Sequence, residues 1–223
     1  MTEPVKPSKE APAYPRRRRR AQATRTRVLD AAGALFVERG YVATTIDAIA
    51  TLADVAPETV YASFGNKRTL LTAVVDVSIA GEPGAPPILE QGWVQEMRDE
   101  PDPHRRVATL AARGQGILER RHAIDEVVGG AAASDPEIAA LRDVLKTQRH
   151  AGQRELLRIV AGPTGLRPDL DLEMATDVLY ALGSPETYRL LVIDRGWTGA
   201  RFKRWYADAI ERLLLKTDSS AHR

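Results

Sequence analysis

The chain has 223 residues, no cysteine and a formal net charge of +2. Without thiols there are no disulfides and no thiolate metal sites. No apolar run reaches the length of a membrane span, and the Pro- and Arg-rich N-terminus lacks the apolar stretch of a secretory signal, so the cytoplasm is the expected compartment.

Hydrophobic residues make up 43%, enough for a core, and aromatic residues only 5%. With abundant Ala and Arg, that balance predicts an all-α protein. The charge is unevenly placed. Residues 1–30 hold nine basic side chains against three acidic ones, a net of +6, which leaves −4 for the remainder. A basic arm on a mildly acidic body suits a polyanion such as nucleic acid.

Residues 1–21, with four prolines and many charges, are expected to be disordered. The run Arg16, Arg17, Arg18, Arg19, Arg20 stands directly before the first helix. It reads either as an arm that follows phosphates or enters a minor groove, or as a solvated tail. The first helix is expected over 23–39, with Leu29, Ala32, Leu35 and Phe36 inward and Gly40 ending it. Thr45 is placed to cap a second helix carrying Ile46, Ile49 and Ala50, or to hold a phosphate at that helix end.

Asp54 tolerates the left-handed conformation of a helix-to-helix turn, and Pro57 suits the first turn of the helix that follows. On that third helix Val60 and Phe64 sit four apart and face inward, which sends Glu58 and Ala62 outward. The pattern fits a helix-turn-helix whose second helix enters a major groove. It equally fits a plain helical hairpin in an all-α core. A fourth helix is expected over 67–80. Lys67 at its N-terminus opposes the helix dipole, a mismatch that a phosphate would relieve.

Over about 24–80 the chain resembles the DNA-binding domain of the TetR family of transcriptional repressors. The matching features are Phe36, Arg39-Gly40-Tyr41, Thr44-Thr45-Ile46, Ile49-Ala50 and Ala53-Asp54-Val55, then Thr59-Val60-Tyr61, Phe64, Lys67 and Leu70-Leu71. Two positions depart from the family's habit: Asp54 stands where Gly is usual, and Ala56 where Ser or Thr is frequent. The resemblance implies phosphate contacts by Thr45, Tyr61 and Lys67. It also implies base-facing positions at Ala56, Pro57, Glu58, Thr59 and Ser63. That face lacks Arg, Gln and Asn, so the arginine run and DNA shape are expected to share the reading.

Gly81 to Pro87 marks the clearest boundary. The domains are therefore read as a basic arm at 1–21, a helix-turn-helix domain at 22–80, a helical regulatory and dimerisation domain at 81–217, and a disordered tail at 218–223. In the second domain helices are expected over 88–99, 103–121, 123–133, 134–160, 171–182, 185–195 and 199–216. Ser134 with Glu137 is read as a capping box for the long one, and Thr198 as the cap of the last.

The resemblance implies a cavity for an unidentified small-molecule effector in this domain. Its candidate lining is Trp93, Met97, Arg113, Gln115, His122, Gln148, Tyr180 and Tyr188, with Gly114 and Gly152 making room. The plainer reading makes each a satisfied core or surface residue. Phe202, Trp205, Tyr206, Ile210, Leu213 and Leu214 are candidates for a two-fold dimer interface, or else close the monomer's own core.

The resulting expectation is a homodimeric, ligand-responsive repressor on a palindromic double-stranded operator, near the nucleoid. An activator or architectural DNA-binding protein with the same head is the alternative. A helical enzyme ranks last. There is no zinc-ligand helix motif and no phosphate loop, Gly114-Gln115-Gly116 lacks a third glycine, and the four histidines are scattered. No catalytic residue, resident cofactor or metal ligand is assigned.

Overall fold

A single residue in the left-handed region, Asp54 (φ 53°, ψ 55°), closes the turn between two eight-residue helices. Such short helices do not stand alone in water, so their stability comes from what they pack against. In the computed structural model, residues 14–216 are described apart from Thr164, with side chains from Arg18 onward. The expectations for residues 1–13 and 217–223 lie outside the described residues. The helices are α1 (Tyr14–Ala43), α2 (Ile46–Ala53), α3 (Pro57–Phe64), α4 (Lys67–Ala80) and α5 (Gly92–Asp99). They continue with α6 (Pro103–Ala132), α7 (Pro136–Ala161), α8 (Leu172–Leu182), α9 (Pro185–Tyr188) and α10 (Gly199–Leu214). Among the described residues the nearest thing to a sheet is one antiparallel bridge between Leu166 and Leu215, and no helix is long and apolar enough to cross a membrane.

The head, α1 to α4, folds as the apolar spacing predicts. Val28, Ala32, Leu35 and Phe36 of α1 meet Ile49 of α2, Val60 and Phe64 of α3, and Leu70, Leu71 and Val75 of α4. Each of the larger side chains among them contributes about 2 kcal/mol. Gly40 ends the regular part of α1 with φ 77°, which a residue with a Cβ rarely adopts. Thr45 accepts from the Ala48 N–H and Pro57 opens α3, both as expected, while Ala56 supplies no side-chain cap. Thr44 is fully buried. Its hydroxyl lies 2.8 Å from the Gly40 carbonyl and 3.0 Å from that of Leu35 and donates to the pair, tying the end of α1 to the start of α2.

The head is not a separate ball on a stalk. Its core continues into Ile124, Val128 and Ala131 of α6 and Ile138 of α7, and Arg68 of α4 pairs with Glu137 of α7. A second core joins α5, the first half of α6, the end of α7, α8 and α10 around Val107, Leu157, Leu179, Phe202 and Ile210.

Several boundaries differ from expectation, each for a local reason. Helix α1 begins at Tyr14, so Arg16–Arg20 form its first turns and not an unstructured arm. The two helices expected over 103–121 and 123–133 are one helix, because Leu118, Arg121, Ile124 and Val128 keep one buried stripe across the supposed break. Asp135, not Ser134, caps α7, accepting from the Glu137 and Ile138 N–H groups with Pro136 next in line. The expected 88–99 helix divides into a 3-10 turn at Ile88–Glu90 and α5. The expected 185–195 helix divides into α9 and a π-helical turn at Arg189–Asp194. Thr198 caps α10 by accepting from the Arg201 N–H, as expected.

Thr44→Val keeps the shape but removes the donor to two buried carbonyls. It is expected to cost about 1–3 kcal/mol in a urea titration, with Thr44→Ser recovering most of the loss.

Candidate functional site

On α3 the inward pair Val60 and Phe64 is 1% and 5% exposed. The helix therefore turns Glu58, Tyr61, Ala62 and Ser63 to solvent, with Pro57 and Thr59 half-buried and Ala56 exposed at its start. Tyr61 is 53% exposed, high for an aromatic side chain. Thr45 is also exposed. Its oxygen is used by the Ala48 N–H at 3.1 Å, which leaves the hydroxyl proton available to an anion.

A residue that motif reading passed over steadies this face. Arg25 of α1 donates to the Ser63 carbonyl at 3.1 Å, and its guanidinium lies 4.3 Å from the Phe64 ring centre. It thus holds the C-terminal end of α3, where a cation meets the negative end of the helix dipole. Arg18, Arg19 and Arg20 are exposed on the first turns of the same α1, while the side chains of Arg16 and Arg17 lie outside the described residues. Arg27 and Asp54 stand 3.8 Å apart with both side chains largely exposed, a pair worth little in water.

Lys67 answers its dipole mismatch from within the chain. Its ammonium donates to the carbonyls of Tyr41 and Thr44, each at 2.9 Å, approaches that of Val42 at 3.4 Å, and lies 4.4 Å from the Tyr41 ring centre. Burial lowers its pKa, with nearby Asp135 acting the other way. The expected phosphate-seeking lysine is therefore first a clamp on the α1–α2 junction. Sequence spacing could not reveal this, because the carbonyls lie more than twenty residues away.

In the body a cavity of about 580 Å³ opens between α4, α6, α7 and the 86–93 segment. Its apolar wall includes Trp93, Leu110, Ile117, Leu118, Leu156 and Leu179, and its polar lining Asp76, Arg121, Gln148, Arg149, Gln153 and Tyr206. Arg121 is neutralised by a bidentate pair with Asp125 at 2.6 and 2.7 Å. Burial raises the Asp76 carboxyl. It also pushes the Tyr206 phenol well up, with nearby Arg149 opposing. Helix α4 supplies Asp76, Ile79 and Ala80 to the wall, and its last turn is held by Arg120, which donates to the Ser78 carbonyl at 3.2 Å. Among the described residues no group of His, Asp or Glu is placed to hold a metal ion.

Residues 28–74, the span from the inner stripe of α1 to α4, match the model of the bacterial regulatory proteins of the tetR family. The head of this chain belongs to the tetR family of bacterial regulatory proteins. Among relatives, it is 26% identical over 177 residues to the HTH-type transcriptional regulator YdeS of Bacillus subtilis, covering 79% of this chain and 83% of that one. Two solved structures share its fold. NalD, the secondary repressor of the MexAB-OprM multidrug efflux pump in Pseudomonas aeruginosa, aligns with TM-score 0.63 and 21% identity over 87% of this chain and 98% of that one. The transcriptional regulator FadR of Bacillus subtilis in complex with stearoyl-CoA aligns with TM-score 0.64 and 17% identity over 82% and 96%. These are regulators, not enzymes.

Of the effector candidates in the body, Trp93 and Gln148 line the cavity, and Gly152 opens onto it. Gly114 lines it too and also makes room for Tyr206, whose ring would lie 3.0 Å from a Cβ there. The other candidates sit elsewhere. Met97 is core at 1% exposure. Arg113 lines a neighbouring surface hollow beside Trp93. Gln115 bonds Glu119, and His122 stacks on Tyr188, which is itself core. Tyr180 lies under the Arg149 guanidinium, 3.8 Å away. Asp76, Arg149, Gln153 and Tyr206 were missed as lining because they come from three helices, α4, α7 and α10, and Arg149 and Gln153 lie beside the stripe read as inward on α7.

The dimer candidates divide in the same way. Phe202, Tyr206, Ile210 and Leu214 are 0–3% exposed within the monomer's own core, so they are not available to a partner chain. Trp205 is half-buried, tilted against Phe202 and edge-on to Trp197, and Leu213 is 43% exposed. The apolar side chains that α8 and the π turn leave outside are Met174, Leu190 and Ile193.

Because burial raises the Asp76 pKa above its unfolded value, its contribution to stability is fully present below the unfolded pKa and is lost as pH rises through the folded one. Asp76→Asn is therefore expected to raise the melting temperature at neutral pH, with the difference vanishing in acid below the carboxylate range. Melting curves of the two proteins across that range check it.

Proposed function

We propose that this TetR-family regulator is a homodimeric repressor that binds a palindromic operator and leaves it when a small molecule fills the body cavity. The observation that carries this reading is α4. Its first turns, with Leu70, Leu71, Val74 and Val75, belong to the head core. Its last turn, with Asp76, Ile79 and Ala80, forms cavity wall. A ligand that prefers one position of that last turn biases the position of the head, and it shifts the equilibrium by no more than its differential affinity. Two heads that no longer match the spacing of half-sites, about one helical turn apart, lose the operator. The repressor role of NalD and the stearoyl-CoA complex of FadR, both of this fold, support the reading.

In this scheme α3 lies in the major groove with Ala56, Pro57, Glu58, Thr59 and Ser63 toward the bases. Thr45, Tyr61 and the arginines of α1 meet phosphates. Lys67 adds positive potential while clamping the fold. Glu58 can accept from a cytosine amino group, and the small side chains can touch thymine methyls. The dimer uses Leu213 with Met174, Leu190 and Ile193, in place of the buried aromatic residues of α10.

A mobility shift with the promoter of its own or a neighbouring gene tests the proposal, and failure to bind any such fragment at low salt overturns it. Tyr61→Ala is expected to weaken binding about tenfold without changing the melting temperature, whereas Lys67→Met lowers both. Replacing Arg16–Arg20 by alanine reduces the slope of log K against log salt by about 0.9 for each arginine that meets a phosphate. An unchanged slope removes the arginine run from the interface.

A further inference from the structure

The inner end of the cavity carries a cation that the fold leaves without a hydrogen-bonding partner. The Arg149 side chain is 12% exposed, and its nearest carboxylate, Glu186, is 3.9 Å away, too far for a hydrogen bond. Its Nη1 is buried and donates to nothing. The guanidinium is flanked on one face by Tyr180, which supplies no counter-charge. Arg121, the other cation in the wall, is already satisfied by Asp125.

Beside Arg149 lies Gln153, whose Oε1 is also buried and unpartnered and whose Nε2 makes one long donation, 3.5 Å, to the Gly183 carbonyl. So weakly held an amide can turn either its N–H or its oxygen toward a ligand. Tyr206 reaches the same corner, since its hydroxyl stands 2.4 Å from where a Cβ on Gly183 would be. A buried donor left empty costs the full desolvation of the group, and a buried cation demands a counter-ion more strongly than any neutral group does.

We propose that the effector is an amphipathic carboxylic acid, its carboxylate received by Arg149 beside Gln153 and Tyr206 and its apolar body lying along Trp93, Leu110 and Leu156. The proposal rests on the reading of this cavity as the effector site and names the ligand class that reading leaves open. Charge around the site favours an anion. A smaller adjoining cavity shares Arg121 and Arg149 with the first and adds Arg142 and Lys146 against Asp125 and Glu186. The competing acidic feature of the wall, Asp76 on α4, keeps solvent contact despite the partial burial that raises its pKa, so it does not require a cationic ligand.

The test is calorimetric titration of the full-length protein, without DNA, against decanoate and naphthoate. Each is compared with its neutral alcohol and its primary amine, and decanoate also with decyl phosphate. At least one carboxylate is expected to bind about tenfold or more tightly than its alcohol and its amine. Arg149→Met should erase that preference while leaving the affinity for the alcohol in place, which also reports an intact fold. Arg149→Lys should keep part of the preference. A preference for the amine or the phosphate, no preference at all, or a preference that survives Arg149→Met overturns the proposal. A mobility shift on the same protein keeps the two readings apart. Intact operator binding with no carboxylate preference refutes the ligand class alone, and carboxylate binding with no operator binding refutes the regulator reading alone.

Discussion

One helix serves two cores. Leu70, Leu71 and Val75 of α4 cannot move without disturbing α1 and α3, and Ile79 and Ala80 cannot move without reshaping the cavity. A close-packed interior resists gradual deformation, so motion at one end of so short a helix is felt at the other. The ties at its last turn, from Arg120 to the Ser78 carbonyl and from Gln91 to the Ala80 carbonyl, set its rest position from α6 and the 86–91 segment. The head is also braced by the far half of α6 and the start of α7, so the body frames α4 along its length.

A second theme is the use of cations on helix-end carbonyls. Lys67 gathers the carbonyls at the α1–α2 junction, Arg25 takes the end of α3, and Arg106 takes the Val160 carbonyl near the end of α7 together with that of Glu100. Each final turn leaves carbonyls without partners inside the helix, and each cation meets the negative end of a dipole. These arginines and lysines are structural in the first instance. Arg149 is the contrast: where Arg106 still donates through Nε and Nη1, the Arg149 guanidinium meets no carbonyl and its buried Nη1 has no partner. That difference, not charge by itself, separates a ligand-seeking residue from a stapling one.

Much of the head could be read from the chain alone. The spacing of Leu35, Ile49, Val60 and Phe64, the turn chemistry of Asp54 and Pro57, and the Thr45 cap are all local rules, and each is met. The outward face of α3 follows from its inward one by rotation. The body was less legible. The break expected between 121 and 123 is absent, because the buried stripe runs on across it. Ser134 was the expected cap of α7, but Asp135 takes the place because its carboxylate accepts from two free N–H groups.

What the sequence determined by itself was set by neighbours within a helix turn or two: helix content, the Thr45 and Thr198 caps, the α2–α3 turn and the inward stripes of the short helices. Only the tertiary structure decided which side of α10 met its own core and which residues shared a cavity. Phe202 and Ile210 look as suited to a partner chain as to a monomer, and burial depends on helices that return from far along the chain. Arg149 and Gln153 stand four apart on α7, but Tyr206 joins them only because α7 and α10 meet at the α8–α9 junction. No local pattern encodes that crossing.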